Sequence, residues 1–140
     1  MRFVLDNSVV MRWLLRDGSD DRLAYADQVL ALMTQDASEA VVPGIWSLEA
    51  ANVILKAQLK GHVSEARAAA FAALLLDMSI STDTRTSERA LGDTLQLARR
   101  FKLSAYDACY LELALREGLT LATLDNDLRS AMLQTGVALT

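Results

Sequence analysis

Four acidic residues stand where an acid is either costly or well placed to act. Asp6 closes the apolar run Phe3-Val4-Leu5, and Asp125 follows Leu121-Ala122-Thr123-Leu124. Glu49 lies early in a segment of helical pattern, and Asp107 sits among apolar residues. Carboxylates gathered at one point repel one another unless a cation or protons intervene. The chain has one histidine, His62, and one cysteine, Cys109. Neither a multi-histidine site nor a cysteine-based zinc cluster is open to it, nor an internal disulfide. A metal here is therefore held by oxygen, which selects hard cations such as Mg²⁺ or Mn²⁺.

Each acid also has a plainer reading. An aspartate opening a helix caps backbone N–H groups and favours the helix dipole. Asp125 fits that role, and Ser104-Ala105-Tyr106-Asp107 has the spacing of a capping box with Asp in place of Glu or Gln. For any one acid, capping and chemistry weigh about equally. Asp107 tilts the balance. On a helical wheel it lies opposite Arg116 and away from Glu112, which are expected to mark the outward face, and its neighbours one and two turns on are Leu111 and Ala114. A carboxylate pointing into apolar surroundings is costly unless paired or metal-bound, and no lysine or arginine stands at a local spacing to pair with it.

Glu49, Asn52, Lys56 and Lys60 share a helical face, which is either a solvated stripe or a ligand with Asn52 supporting it one turn on. Cys109 reads as core rather than nucleophile, with no histidine nearby in sequence. His62 is expected in a solvated turn, and Trp13 and Trp46 in the core or an interface. The cluster Arg99-Arg100-Phe101-Lys102 could meet phosphates, but cations in a last helical turn equally answer the dipole.

The elements that must position these residues alternate. Short strands are predicted at Arg2–Leu5, Ala40–Val42, Ser79–Thr82 and Leu119–Thr123, with a fifth at Val137–Leu139. Helices are predicted over 9–16, 20–34, 45–60, 64–77, 86–101, 104–117 and 125–134. Such alternation predicts a mostly parallel sheet of four or five strands covered by helices on both faces, with ligands gathering beyond the carboxyl ends of the strands. If the first and fourth strands share that sheet, Asp6 and Asp125 emerge at one edge.

At 140 residues the chain has the length of a single domain spanning 1–140, and 52% hydrophobic with 23% charged residues is a globular composition. The apolar start is too short for a signal peptide, and the Ala66–Leu76 run is too short for a bilayer and contains Arg67. The expectation is a cytoplasmic protein. A net charge of −4 speaks against sequence-blind nucleic-acid binding, although bound divalent ions reverse the charge locally.

Four segments in order resemble the PIN-domain family, in particular the VapC toxins of bacterial toxin–antitoxin pairs: 3–10 (FVLDNSVV), 47–52 (SLEAAN), 103–111 (LSAYDACYL) and 121–128 (LATLDNDL). The resemblance spans essentially the whole chain. It implies a three-layer α/β fold with Asp6, Glu49, Asp107 and Asp125 as a Mg²⁺- or Mn²⁺-binding quartet. Ser8, Asn52 and Thr123 would support the site and Asp127 could add a ligand. Asn7 departs mildly, at a position often held by Thr. The implied activity is endoribonuclease: water activated by metal attacks phosphorus in line, leaving 5′-phosphate and 3′-hydroxyl ends. The implied partners are tRNA or rRNA substrates, a homodimer mate through the helix of Ser64–Asp77, and an antitoxin offering a basic side chain to the acidic pocket.

Two rivals remain on the sequence alone. Asp6-Asn7-Ser8-Val9 loosely matches the nucleophile loop of haloacid-dehalogenase-like phosphohydrolases, but Ser8 stands where that loop needs a second acid. A binding module that has kept the fold and lost activity is the other, and retention of all four acids argues against it.

Overall fold

The computed structural model describes residues 1–140. Strands β1 (Arg2–Leu5), β2 (Glu39–Val42), β3 (Ile80–Thr82) and β4 (Thr120–Ala122) form one sheet in the order β3-β2-β1-β4, and every pairing is parallel. The inner strands β1 and β2 are apolar and buried for nearly their whole length, as a parallel sheet covered on both faces requires. The edge strand β3 remains partly exposed. The predicted fifth strand is not a strand. It reduces to one parallel bridge between Leu121 and Leu139, because the Val137 amide is committed to closing the preceding helix on Met132 O.

Eight helices surround the sheet: α1 (Asn7–Leu15), α2 (Asp20–Met33), α3 (Trp46–Leu59), α4 (Glu65–Asp77), α5 (Thr86–Arg89), α6 (Leu95–Phe101), α7 (Ala105–Glu117) and α8 (Asn126–Thr135). Ser19, Ser64, Ser104 and Asp125 open α2, α4, α7 and α8 by accepting the amide three residues on, the cap that satisfies an orphan N–H. Gly118 and Gly136 end α7 and α8 at φ +65° and +77°, where a Cβ would be strained. The single helix expected over 86–101 is interrupted by a π-helical turn, Ala90–Thr94, between α5 and α6. Gly92 sits at its centre, and the regular ladder is weakest at glycine.

A third expectation is overturned. Glu112 and Arg116 do not mark an outward face of α7. Every residue from Ala108 to Ala114 is buried, Glu112 is 4% exposed, and the Arg116 side chain lies between Glu112 Oε1 and Asp83 Oδ2, each at 2.8 Å. Local spacing could not reveal this, since Asp83 arrives from 33 residues away. Helix α7 is thus a central helix enclosed on nearly all sides, and Asp107, half-buried on its first turn, stands at its open end.

Candidate active site

The strand order reverses at β1: the chain runs from β1 to β2 and β3 on one side, then returns to place β4 on the other. That reversal opens a crevice between the carboxyl ends of β1 and β4. The register pairs Leu5 with Ala122, so the next residues, Asp6 and Thr123, come side by side. The Asp6 amide donates to Ala122 O at 3.0 Å.

Asp6 is 7% exposed, and its Oδ2 accepts two hydrogen bonds, from Ser8 Oγ at 2.6 Å and Thr123 Oγ1 at 2.8 Å. Both hydroxyls also accept from the β4–α8 turn: Leu124 N donates to Ser8 Oγ at 2.9 Å and Asp125 N to Thr123 Oγ1 at 3.0 Å. The turn's carbonyls are held as well, Thr123 O by Arg129 Nε at 2.7 Å and Leu124 O by Arg22 Nη2 at 2.9 Å. Asp125 Oδ1 caps α8 through Leu128 N at 2.8 Å. The capping reading of Asp125 is therefore correct, and it leaves Oδ2 for other work. The Asp6 carboxylate is favoured in its charged form by the Asn7 amide as well.

Glu49, on the first turn of α3, accepts from the phenol of Tyr110 at 2.6 Å on Oε1. Asn52, expected to support it, is exposed and makes no hydrogen bond to Glu49. The supporting contact comes from Tyr110, which no spacing argument within α3 could find, because its partner lies 61 residues away. Asn7 is buried, and its amide donates to Trp46 O at 3.2 Å and favours the charged form of Glu49. Asp107 lies beyond the Ser104 cap, to whose hydroxyl its amide donates at 3.0 Å. Cys109 is buried core, its thiol pushed well up chiefly by burial. His62 is exposed, Trp46 is buried and Trp13 half-buried.

The electrostatics tie these acids together. Burial raises Asp6 above the ordinary carboxylate range; the two hydroxyl donors act against that, and the Asp125 charge adds to it. Glu49 is raised by burial first, opposed by Tyr110, with further repulsion from Asp6 and Asp107. Asp107 is raised by burial and then by Asp125, Asp6 and Asp127. Asp6, Glu49, Asp107 and Asp125 thus share one field, with Asp127 at its margin. None of the five enters an ion pair; the paired acids are Asp17, Asp27, Glu39, Asp83, Glu88, Asp93, Glu112 and Glu117. Asp6 is buried and Glu49, Asp107 and Asp125 half-buried, and such carboxylates without a countercharge are the donor set a hard divalent ion fits. The side chains do not stand as a closed shell, since no three acidic groups converge to coordination distance. Mg²⁺ needs no such shell, being held by one or two carboxylates with waters completing the octahedron.

The PIN domain family model matches residues 3–132. No curated protein matches the chain. Among solved structures, PAE2754 from Pyrobaculum aerophilum is similar over 94% of this chain and 79% of its own, at 22% identity and a TM-score of 0.65. Mycobacterium tuberculosis VapC20, described as a sarcin-ricin-loop-cleaving toxin, is similar over 92% of this chain and 94% of its own, at 18% identity and a TM-score of 0.59.

Proposed function

Because the chain belongs to the PIN-domain family, whose members are generally nucleases, we propose that it is a divalent-metal-dependent endoribonuclease, the toxin of a toxin–antitoxin pair. The observation that carries the reading is the set of buried and half-buried carboxylates at the β1/β4 crevice that lack any cationic partner, whereas the buried side chains of Asp83 and Glu112 share Arg116. The dehalogenase-like alternative loses its footing on Ser8, whose hydroxyl serves Asp6 as a hydrogen-bond donor where a second acid would be required.

Asp6, Glu49, Asp107 and Asp125 would hold the ion, with Asp127 able to add an oxygen. A bound Mg²⁺ or Mn²⁺ supplies Lewis acidity, an acidified water and neutralisation of phosphate charge. Ser8 and Thr123 fix the rotamer of Asp6 by donating to its Oδ2. Tyr110 does the same for Glu49. The unpaired acids stand ready to orient a water for in-line attack on phosphorus, which leaves 5′-phosphate and 3′-hydroxyl ends and needs no histidine or covalent enzyme intermediate.

The partner surface follows from exposed leucines. Leu48, Leu55 and Leu59 on α3 and Leu74 and Leu76 on α4 are all at least half exposed, beside an apolar groove lined by Trp46, Ile54, Ala72 and Leu75. An exposed apolar patch of this kind marks an association surface, and we assign it to a homodimer. An antitoxin would place a basic side chain in the carboxylate crevice. No helix is long and apolar enough to cross a membrane.

The test is incubation of the purified chain with total cellular RNA, with and without Mg²⁺ or Mn²⁺, beside Asp6→Asn. Metal-dependent cleavage yielding 5′-phosphate ends, lost in Asp6→Asn, is the expected result. Absence of cleavage with either ion, together with absence of Mn²⁺ binding by calorimetry, would remove the proposal.

A further inference from the structure

The charge of the molecule is unevenly placed. In a chain of net charge −4, the segment 85–102 carries five cations, Arg85, Arg89, Arg99, Arg100 and Lys102, against two acids, Glu88 and Asp93. Those two acids are taken by Arg85 and Arg89. Arg99, Arg100 and Lys102 are exposed and enter no ion pair. The helix dipole accounts for a cation or two in the last turn of α6, but not for Lys102, which occupies the left-handed position that ends the helix at φ +55°. Glycine or asparagine takes that conformation with less strain. Arg100 lies over the Phe101 ring, 5.0 Å from its centroid, which holds the guanidinium at the surface.

This corner leads straight to the carboxylates. Lys102 precedes Asp107 by five residues, so their Cα atoms are at most ~19 Å apart and the first turn of α7 shortens that reach. Between them stands Tyr106, an aromatic 66% exposed on the same helical turn as Asp107. The cations do not neutralise the crevice: the charges acting on Asp107 are those of other acids.

We infer that the α6–α7 corner is the track for the substrate strand: Arg99, Arg100 and Lys102 take phosphates flanking the scissile one, and Tyr106 stacks on an unpaired base. The inference rests on the ribonuclease reading and supplies what an acidic protein otherwise lacks, a local surface that attracts RNA. Single-stranded RNA is bound in this way, by cations along the backbone and aromatic platforms for the bases.

The test uses the full chain in the Asp6→Asn background, with a short fluorescein-labelled single-stranded RNA titrated across a salt series. The triple variant Arg99→Gln/Arg100→Gln/Lys102→Gln is expected to weaken binding at least about tenfold and to reduce the slope of log affinity against log salt by about 2, since each single-strand phosphate contact adds about 0.7. Tyr106→Ala is expected to weaken binding about five- to a hundredfold with the slope unchanged, and Tyr106→Phe to restore it. With Asp6 intact, the triple variant raises KM and leaves kcat. Unchanged affinity and slope in the triple variant would overturn the inference, as happens if the patch instead meets an acidic segment of a partner protein. RNA binding with the stated slope but no cleavage by the Asp6-containing chain would sink the nuclease reading alone. No RNA binding at all takes down both.

Discussion

The two ends of α7 hold acids in opposite conditions. At the first turn, Asp107 joins Asp6, Glu49 and Asp125 in a field of like charge, and Asp6, Glu49 and Asp107 are pushed towards protonation. Towards the far end, Glu112 is as buried as Asp6, yet it shares Arg116 with Asp83 in a fully hydrogen-bonded triad. There the guanidinium holds Asp83 below the ordinary carboxylate range against its burial, and its own pKa is driven up. Burial alone does not distinguish the two groups of acids; the presence of a countercharge does. One end of the helix ties the edge strand β3 to the core, and the other holds the carboxylates proposed to bind metal, which no cation of the chain pairs with.

The comparison is broken most severely at the first end. Asp6→Asn should lower RNA cleavage at least about a thousandfold, since metal-assisted catalysis is worth several kcal/mol, while circular dichroism reports a folded chain. Asp107→Asn should behave the same way. Full activity in both would remove these acids from the proposed metal site. At the other end, Arg116→Ala leaves two buried carboxylates uncompensated and should destabilise folding by about 3–5 kcal/mol, read from urea unfolding, with activity per folded molecule unchanged. An activity loss beyond the unfolded fraction would mean the two ends are coupled.

Tyr110→Phe sharpens the comparison by removing one hydroxyl and nothing else. Loss of a partner that orients a ligand typically weakens metal affinity about 10–100-fold, and calorimetry with Mn²⁺ should show a change in that range. In a Glu49→Gln background the same substitution should add little, because the phenol acts through Glu49.

The smallest effect is on stability against pH. Asp6, Glu49 and Asp107 have folded pKa values above their unfolded ones, so the folded chain binds more protons than the unfolded chain between those values. Metal-free stability therefore falls as pH rises through that window, from about pH 4, the unfolded carboxylate range. Asp83 acts in the opposite sense. In EDTA the melting temperature should fall over the window, at about 2–4 °C per kcal/mol. The fall should be shallower in Asp6→Asn and reversed by Mg²⁺. An equal fall in Asp6→Asn would place its cause outside the crevice.

The sequence carried the sheet and most of the helices because apolar runs, serine caps and terminal glycines are local signals. Asp6 and Asp125 were legible as neighbours because parallel strands bring residues after their carboxyl ends to one edge. What escaped depended on partners from afar. Arg116 and Glu112 look like an exposed pair until Asp83 is brought over them, and Tyr110 looks like core until Glu49 meets its hydroxyl. The π-helical turn at Ala90–Thr94 left no periodic trace beyond Gly92. Asn52 was credited with support for Glu49 on spacing alone, whereas the hydrogen bond Glu49 accepts comes from Tyr110.

The hydroxyl pair that clasps Asp6 has a temporal meaning. Ser8 and Thr123 stand 115 residues apart in sequence, so Asp6 is not clasped until β4 has been made and has docked beside β1. A fragment that stops short of Thr123 keeps Asp6 but lacks half of its clasp, and any activity seated there awaits the synthesis of β4.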